Sequence, residues 1–265
     1  MTFETFLSHP GDKILVEVAR ARGSTPREEG AFMLVAADAI WGTIGGGNME
    51  FEAVSAAREM LADGSASRRL DIALGPESGQ CCGGRVEISL SRADDAATAA
   101  LKARLAAEAD RRPHVHVYGA GHVGRALAAA LAPLPLKVTV IETRQEELAL
   151  LAVDVPRRLE AMPEAAIADL PAGGAAVIMT HDHALDFLIA AEALRRGDLA
   201  YVGMIGSRTK RAVFASWLED AGLDRALMSR LVLPIGGNGV HDKRPVVIAA
   251  LVAAELLGAL LPAAG

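Results

Sequence analysis

The sequence places its two cysteines side by side, Cys81 and Cys82, in the run Gly-Gln-Cys-Cys-Gly-Gly. A thiol is a soft ligand for transition metals and, as the thiolate, a nucleophile. Consecutive Cα atoms lie about 3.8 Å apart, below the roughly 4.4 Å lower end for disulfides, so we do not expect a bridge. In an extended segment the two side chains point to opposite faces, so one thiol readily meets a given ligand. The alternative is a pair of buried, inert cysteines.

A glycine-rich run, Gly42–Gly47, comes just before a predicted helix that opens with Asn48, Met49 and Glu50. Three successive glycines at Gly45, Gly46 and Gly47 expose backbone N–H groups, and a helix N-terminus attracts anions. Asn48 is a candidate N-cap. The run therefore predicts an anion cradle, with a flexible hairpin or a tight packing turn as the alternative.

A second glycine pattern, Gly119, Gly121 and Gly124, follows an apolar strand and opens a helix. In that context the first glycine makes a tight turn, the second lets a diphosphate approach the backbone, and the third allows close helix–strand packing. Glu142 ends the next strand and is the acceptor expected for a ribose 2′-OH, which favours NAD over NADP. The alternatives are a packing turn and a site for another phosphate-bearing ligand.

Polar groups follow two later strands, where ligands of open parallel sheets bind. His181–His183 reads His-Asp-His, a possible metal pair without obvious further ligands, and capping of a helix by Asp182 is equally compatible with it. Ser207 precedes a helix that opens with basic residues, and this segment predicts either a grip on phosphate or carboxylate or a solvated face. His114 and His116 lie on the first strand of this half and are predicted to be packed or edge residues.

The elements that must position these groups change character along the chain. Up to about residue 92 the pattern predicts short strands and one helix, at 14–21, 31–35, 49–61, 70–74 and 86–90, an α+β arrangement. A polar helix at 94–109 and a linker at 111–113 follow. Strands then alternate with helices, beginning with strands at 114–118 and 137–142, which predicts a Rossmann-like parallel sheet covered on both faces. The predicted fold class is α/β, with domains at 1–110 and 113–265.

Composition and charge argue against nucleic-acid and membrane partners. The 265 residues carry 27 Lys+Arg and 33 Asp+Glu, a net charge of −6, so we expect no nucleic-acid partner. The N-terminus resembles no signal peptide, and the apolar stretch at 246–261 is shorter than the ~20 residues that cross a bilayer and contains Glu255. We therefore expect no membrane partner, a cytoplasmic location, and a C-terminal helix that serves the core or a homodimer interface.

Taken in order, these segments resemble the XdhC/CoxI family, accessory proteins for molybdenum hydroxylases. The resemblance covers nearly all of the chain, and its most distinctive parts are Gly42–Gly47 and Gly-Gln-Cys-Cys-Gly-Gly. The family commonly has Asp-Ile-Gly-Gly before a Thr-Pro helix start, whereas residues 239–244 here read Gly-Val-His-Asp-Lys-Arg before Pro245. The matching segments are Gly23–Arg27, Gly42–Glu50, Gly79–Gly84, His116–Gly124, Thr180–Asp182 and Tyr201–Arg208.

The resemblance implies an N-terminal XdhC/CoxI domain, a C-terminal Rossmann-like domain and a non-catalytic chaperone for molybdenum cofactor (Mo-molybdopterin). Such a protein protects the cofactor, supports its sulfuration with a cysteine desulfurase and inserts it into the xanthine dehydrogenase apoenzyme. Molybdenum cofactor biosynthesis proteins are further implied partners. We expect Cys82, or else Cys81, near molybdenum, and Gln80 with the Gly45–Gly47 amides on the pterin.

The Gly119–Gly124 turn is expected on the phosphate or on a nucleotide. The full set of expected cofactor-binding residues is Gly45, Gly46, Gly47, Gln80, Cys81, Cys82, Gly119, Gly121, Gly124, Glu142, His181 and Ser207, with Cys82 as the metal ligand. Two rival hypotheses stay open. One is an NAD-dependent oxidoreductase that uses the glycine turn with Cys82 or His181. The other is a nucleotide-sensing module without catalysis.

Overall fold

The computed structural model describes residues 1–74, 83–237, 239, 240 and 242–261. The chain divides into two compact units, Met1–Ala107 and Glu108–Gly265. The division falls inside a helix that ends at Arg111, a few residues before the division predicted from the sequence. Each unit has its own hydrophobic core.

The first unit is built on one antiparallel sheet of five strands, in the order β3-β2-β1-β5-β4. The predicted α+β arrangement is therefore confirmed. Its elements, in chain order, are α1 (Phe3–Leu7), β1 (Ile14–Arg22), β2 (Phe32–Val35), β3 (Ile40–Gly42), α2 (Gly47–Asp63), β4 (Ser67–Ala73), β5 (Arg85–Arg92) and α3 (Asp95–Arg111).

Alternating burial explains the layers of this unit. In β1, Ile14, Val16 and Val18 are buried on one face of the sheet, as a period of two requires. The helix α2 packs on that face through residues such as Met49 and Ala53. A second cluster with Phe6 and Leu101 at its centre also holds Trp41, whose ring lies 4.8 Å from that of Phe3.

The second unit contains a parallel sheet of six strands flanked by helices, which confirms the Rossmann-like prediction. Two short 3₁₀ helices, Pro163–Ile167 and Arg225–Arg230, complete it. Its other elements are β6 (His114–Tyr118), α4 (His122–Leu131), β7 (Lys137–Glu142), α5 (Gln145–Ala149), β8 (Arg157–Leu159), β9 (Ala175–Ile178), α6 (His183–Arg196), β10 (Tyr201–Met204), α7 (Arg208–Asp220), β11 (Leu231–Val232) and α8 (Pro245–Leu260).

The strand order β11-β10-β9-β6-β7-β8 reverses direction between β6 and β9. Open α/β sheets bind ligands at such a switch point, beyond the carboxyl ends of the strands. The strands flanking it are buried on both faces: β9 is entirely apolar, whereas β6 contains the buried His116 between two valines. The residues that follow β6 and β9 are therefore those that would border a ligand in this unit.

Two helices of this unit form large parts of its cores. On α8, the residues Ala249, Val252 and Leu256 are fully buried, as expected for a helix that serves the core. On α7, Trp217 packs against Phe187 and Phe214, with ring centroids 5.8 and 5.9 Å away. Among the described residues, no helix is long and apolar enough to cross a membrane.

Candidate functional site

A carboxylate of the chain itself accepts hydrogen bonds from the glycine-rich run between β3 and α2. Glu50 Oε2 accepts hydrogen bonds from Thr43 Oγ1 at 2.5 Å and from the N–H groups of Ile44 and Gly46, each at 3.1 Å. The N–H of Gly45 donates to Thr43 Oγ1 at 3.1 Å. Burial raises the pKa of Glu50, but these hydrogen bonds outweigh it and hold the pKa below its usual value.

This arrangement corrects two expectations about the run. Asn48 is not the N-cap, because α2 already begins at Gly47 with Gly46 as the capping residue, and the Asn48 amide donates to Glu52 instead. The N–H groups of Gly45 and Gly46 are already used inside the loop, so they do not form the predicted donor cradle. A carboxylate of the chain itself stands where an external anion was expected.

A neighbouring loop joins this run to the segment that precedes β5. A Cβ atom added at Gly45 (φ +127°) would lie 2.6 Å from Cβ of Pro26, so glycine is required there for the two loops to pack. One at Gly23 would lie 3.2 Å from Cα of Gly84. The loop 23–27 therefore contacts the glycine-rich run at one end and Gly84 at the other.

The predicted cysteine site lies next to this junction in the chain. Gln80, Cys81 and Cys82 fall outside the described residues. The chain leaves β4 at Leu74, whose N–H donates to the carbonyl of Gly84 at 2.8 Å. The described residues on either side of segment 75–82 are thus held together beside Gly23, and loop 23–27 connects them with the glycine-rich run.

In the second unit the Gly119–Gly124 turn lies at the switch point. Gly119 (φ +114°) packs so closely on the backbone of Met179 and Thr180 that a side chain would collide with it. Gly124 packs on the carbonyl of Gly119, whereas a Cβ atom at Gly121 would meet nothing within 4 Å. The structure therefore has the close packing expected at Gly119 and Gly124, and it leaves open space at Gly121, the N-cap of α4.

Glu142 is the last residue of β7, as predicted, but other groups of the protein already bond its carboxylate. Its side chain is 1% exposed. Oε2 accepts from the Ala120 N–H at 2.8 Å and from Arg144 at 3.1 Å, and Oε1 accepts from the Thr143 N–H at 2.8 Å. Burial raises the pKa of Glu142, yet hydrogen bonds from Arg144, Ala120 and Thr143 lower it to about 2. A ribose hydroxyl would have to compete with all of these donors.

The polar groups after β9 and β10 are helix caps. Asp182 caps α6, accepting from the N–H groups of Ala184 and Leu185, which agrees with the capping alternative. Ser207 caps α7 by accepting from the Lys210 N–H at 3.3 Å. His181 is exposed, and no cluster of three or more metal-ligating side chains occurs within the described ranges.

Lys210 lies inside the unit and is not available to grip a ligand at the surface. Its Nζ is 2.5 Å from Asp186 Oδ2 and donates to the Ile205 carbonyl at 3.0 Å. Asp186 Oδ1 in turn accepts from the N–H and hydroxyl of Thr180, at 2.9 and 2.7 Å. Arg211, another of the basic residues that open α7, donates to backbone carbonyls such as that of Met228 at 2.9 Å.

Family comparison identifies the chain. The family model described as the XdhC Rossmann domain matches residues 115–256, more than half of the chain. The model of the XdhC and CoxI family matches residues 9–72. The chain belongs to the XdhC and CoxI family. The XdhC Rossmann match spans β6 to α8, and the XdhC and CoxI match spans β1 to β4.

Two relatives are informative. The uncharacterized protein YqeB of Escherichia coli K12 is 29% identical over 264 residues, which cover 92% of this chain and 42% of YqeB. The chain thus spans about two fifths of that relative. The crystal structure of a xanthine dehydrogenase from Bacillus halodurans superposes with a TM-score of 0.77 at 18% identity, covering 96% of this chain and 93% of the other. At that identity the similarity shows the fold alone.

Sequence reasoning missed the roles of two carboxylates in this XdhC/CoxI chain. The sequence indicates Glu50 only as part of a helix start and indicates no role for Asp186. The available signal was their place in the first turn of α2 and α6, where acidic residues reach back to free N–H groups. Both hold loops whose backbone would otherwise have been assigned to a ligand.

Proposed function

We propose that this protein carries molybdenum cofactor, protects it, supports its sulfuration and inserts it into a xanthine dehydrogenase apoenzyme. The observation that supports the proposal is the convergence, in the first unit, of loop 23–27, the glycine-rich run and the anchor of the cysteine segment at Gly84. Membership of the XdhC and CoxI family supports a role in maturation of such enzymes. A cysteine desulfurase and cofactor biosynthesis proteins are the other proposed partners.

The donor set of the first unit suits a metal–dithiolene–pterin group. Cys82, or else Cys81, would offer a soft sulfur atom towards molybdenum, and Gln80 would offer an amide to the pterin. Gly46 leaves open space, since a Cβ atom there would meet nothing within 4 Å. When bound, the cofactor supplies the metal centre for the partner enzyme; the chain's own groups hold it and shield it from water.

Binding must be reversible for delivery, so we propose no catalytic residues in this chain. In the second unit, the open space at Gly121 and the N-terminus of α4 are suited to a phosphate or a nucleotide. We propose that this turn holds a phosphate-bearing ligand, either part of the cofactor or a nucleotide. His181, which is exposed, and the cap Ser207 stay proposed contacts at the same sheet edge.

The carrier proposal predicts bound pterin in the purified protein. The full chain, purified from a host that makes molybdenum cofactor, should release a fluorescent pterin after oxidation. Cys81→Ala, Cys82→Ala and the double variant should lower that yield severalfold, because a thiol ligand to the metal is lost. Met162→Ala, which removes an exposed sulfur atom in the second unit, should leave the yield unchanged.

Wild-type yield in the double cysteine variant would refute the thiol role, and no pterin from the wild-type chain would refute the carrier proposal. Delivery is tested separately. Loaded protein should restore activity to a xanthine dehydrogenase apoenzyme, whereas protein from a host that makes no cofactor should not.

The second candidate function is an NAD-dependent oxidoreductase, which the Rossmann turn with its open Gly121 favours. The engaged carboxylate of Glu142 counts against the ribose contact that this function needs. The oxidoreductase function predicts saturable NADH binding and NADH turnover with a suitable electron acceptor. Gly121→Val, which fills the open space, should then abolish NADH binding while pterin release from the first unit persists.

A further inference from the structure

A groove runs along the outer face of α2, beginning at the glycine-rich run. Its volume is about 640 Å³, and its lining includes Ile40, Gly47, Glu50, Phe51 and Arg58. Pockets of about 300–1,000 Å³ are typical for small organic ligands. The groove adjoins the glycine-rich run, which the family resemblance places beside the pterin, so the chemistry of the groove bears on which part of a ligand lies there.

Phe51 gives the groove an exposed aromatic surface. The side chain is 73% exposed although it follows a well-packed helix start, and Ile40 on the edge strand β3 is 39% exposed. Neither residue is needed for the core, because α2 packs on the sheet through its opposite face. A flat ring stacked on Phe51 would remove this apolar surface from water.

Glu50 gives the groove a hydrogen-bond acceptor. Its three hydrogen bonds to the glycine-rich run all use Oε2, and among the described residues Oε1 has no donor. Those three bonds fix the carboxylate in place and keep it charged. Oε1 is therefore held ready to accept an N–H from a ligand.

The charges along the groove argue against a phosphate. The groove is lined by two carboxylates, Glu50 and Glu59, and by one guanidinium, Arg58. Glu59 is itself paired with Arg68 at 2.6 Å. A neutral ring with a row of N–H donors suits an aromatic face beside a fixed carboxylate. An aminopyrimidinone ring has this form, because its 2-amino group and ring N–H form a donor edge resembling a guanidinium fork.

We propose that the groove beside α2 binds a flat aminopyrimidinone ring, the ring shared by pterins and guanine, stacked on Phe51 and hydrogen bonded to Glu50. A pterin as the bound ring rests on the proposed function. The assignment makes the Glu50 carboxylate the polar contact to the ring, in place of the Gly45–Gly47 amides expected from the sequence. The same chemistry would accept guanine, so the two sources are tested side by side.

The test is a titration of the full chain with free pterin, followed by its fluorescence, and competition by guanosine and by adenosine. Pterin should bind saturably, and adenosine, which lacks the donor edge, should not compete. Phe51→Ala should weaken pterin binding about tenfold because base–aromatic stacking is lost, and Phe51→Trp should retain it. Glu50→Gln should weaken binding by a similar factor, and Glu52→Gln, an exposed carboxylate of α2 outside the groove, should not.

Several outcomes overturn the assignment. The first is a wild-type chain that binds neither pterin nor guanosine, and the second is a Phe51→Ala variant that binds pterin as tightly as the wild type. The third is sedimentation showing that Phe51→Ala converts a dimer into a monomer, which would assign the groove to a second copy of the chain. If Phe51→Ala still carries molybdenum cofactor at wild-type yield, the groove assignment fails and the carrier proposal stands. If the wild-type chain yields no pterin but binds guanosine through Phe51, the carrier proposal fails and the groove assignment stands.

Discussion

Glu50 and Glu142 perform the same task in different units. The carboxylate of each residue lies beside a glycine-rich turn and accepts hydrogen bonds from the backbone of that turn. Each has a lowered pKa because these donors favour the charged form, in spite of burial that opposes it. In each unit a single carboxylate thus satisfies backbone N–H groups of the loop that leads into a helix, α2 in the first unit and α4 in the second.

At the residue scale, Glu142→Gln should destabilise the second unit. The amide keeps the shape of the side chain but loses the charge that strengthens the bonds from Ala120 and Arg144, a loss of about 1–3 kcal/mol for a buried charged acceptor. Urea unfolding at pH 7 should show this decrease in the free energy of unfolding. Glu146→Gln, an exposed neighbour on α5, should unfold as the wild type does, and an equal loss in both variants would contradict the role of Glu142.

At the scale of elements, the ion pair between Asp186 and Lys210 connects the helices α6 and α7. It also reaches the ends of two strands, through Thr180 after β9 and Ile205 after β10. Both charged side chains are nearly inaccessible, with 1% and 8% exposure. The pair therefore fixes the two loops that border the carboxyl edge of the sheet, where His181 and Ser207 lie.

Lys210→Met should cost about 3–5 kcal/mol of unfolding free energy, because it leaves the Asp186 carboxylate buried without its cation. The double variant Asp186→Asn with Lys210→Met should recover most of this loss, since an Asn oxygen can still accept from Thr180. Thermal unfolding followed by circular dichroism measures both. A double variant as unstable as the single one would show that packing, not charge, sets the cost.

The regular elements were predictable because their residues carry a period. The strands β6 and β7 have the predicted bounds, 114–118 and 137–142, because valine recurs at every second position in both, which is the period of a strand. The strands β8 and β11, of three and two residues, were missed because so few residues carry no periodicity. They exist through pairing with β7 and β10.

The candidate site was predictable only in part. The glycine patterns around Gly119 and Gly45 could be recognised from the sequence. At both positions a positive φ and close packing require glycine. The hydrogen bonds of Glu50 and Glu142 to backbone N–H groups could not be deduced from the sequence. They depend on which N–H groups the folded loops direct towards these carboxylates. Sequence patterns show which groups are present, whereas the three-dimensional arrangement decides which of them are already satisfied.

At the scale of the molecule, stability should depend on pH through His116. This side chain is 5% exposed within β6, and burial, together with the charge of Arg158, lowers its pKa from 6.5 to about 4. Below pH 6.5 the unfolded chain binds a proton that the folded chain does not bind. Stability is therefore present in full above pH 6.5 and decreases as the pH falls towards 4.

This histidine should account for about 3 kcal/mol of the stability lost between pH 6.5 and 4. His116→Gln, which has no titrating ring, should flatten that part of the profile of unfolding midpoint against pH. His122→Gln, at an exposed position of α4, serves as the control and should retain the wild-type slope. An unchanged slope in His116→Gln would exclude this source of acid sensitivity.

The aromatic clusters have a practical consequence. The chain has two tryptophans, and they are divided between the units: Trp41 packs on Phe3 and Phe32, and Trp217 packs on Phe187 and Phe214. Each unit therefore has its own intrinsic spectroscopic reporter. With Trp41→Phe or Trp217→Phe, the emission of the remaining indole follows one unit alone, so binding at α2 and events at the Rossmann turn can be recorded separately in the intact chain.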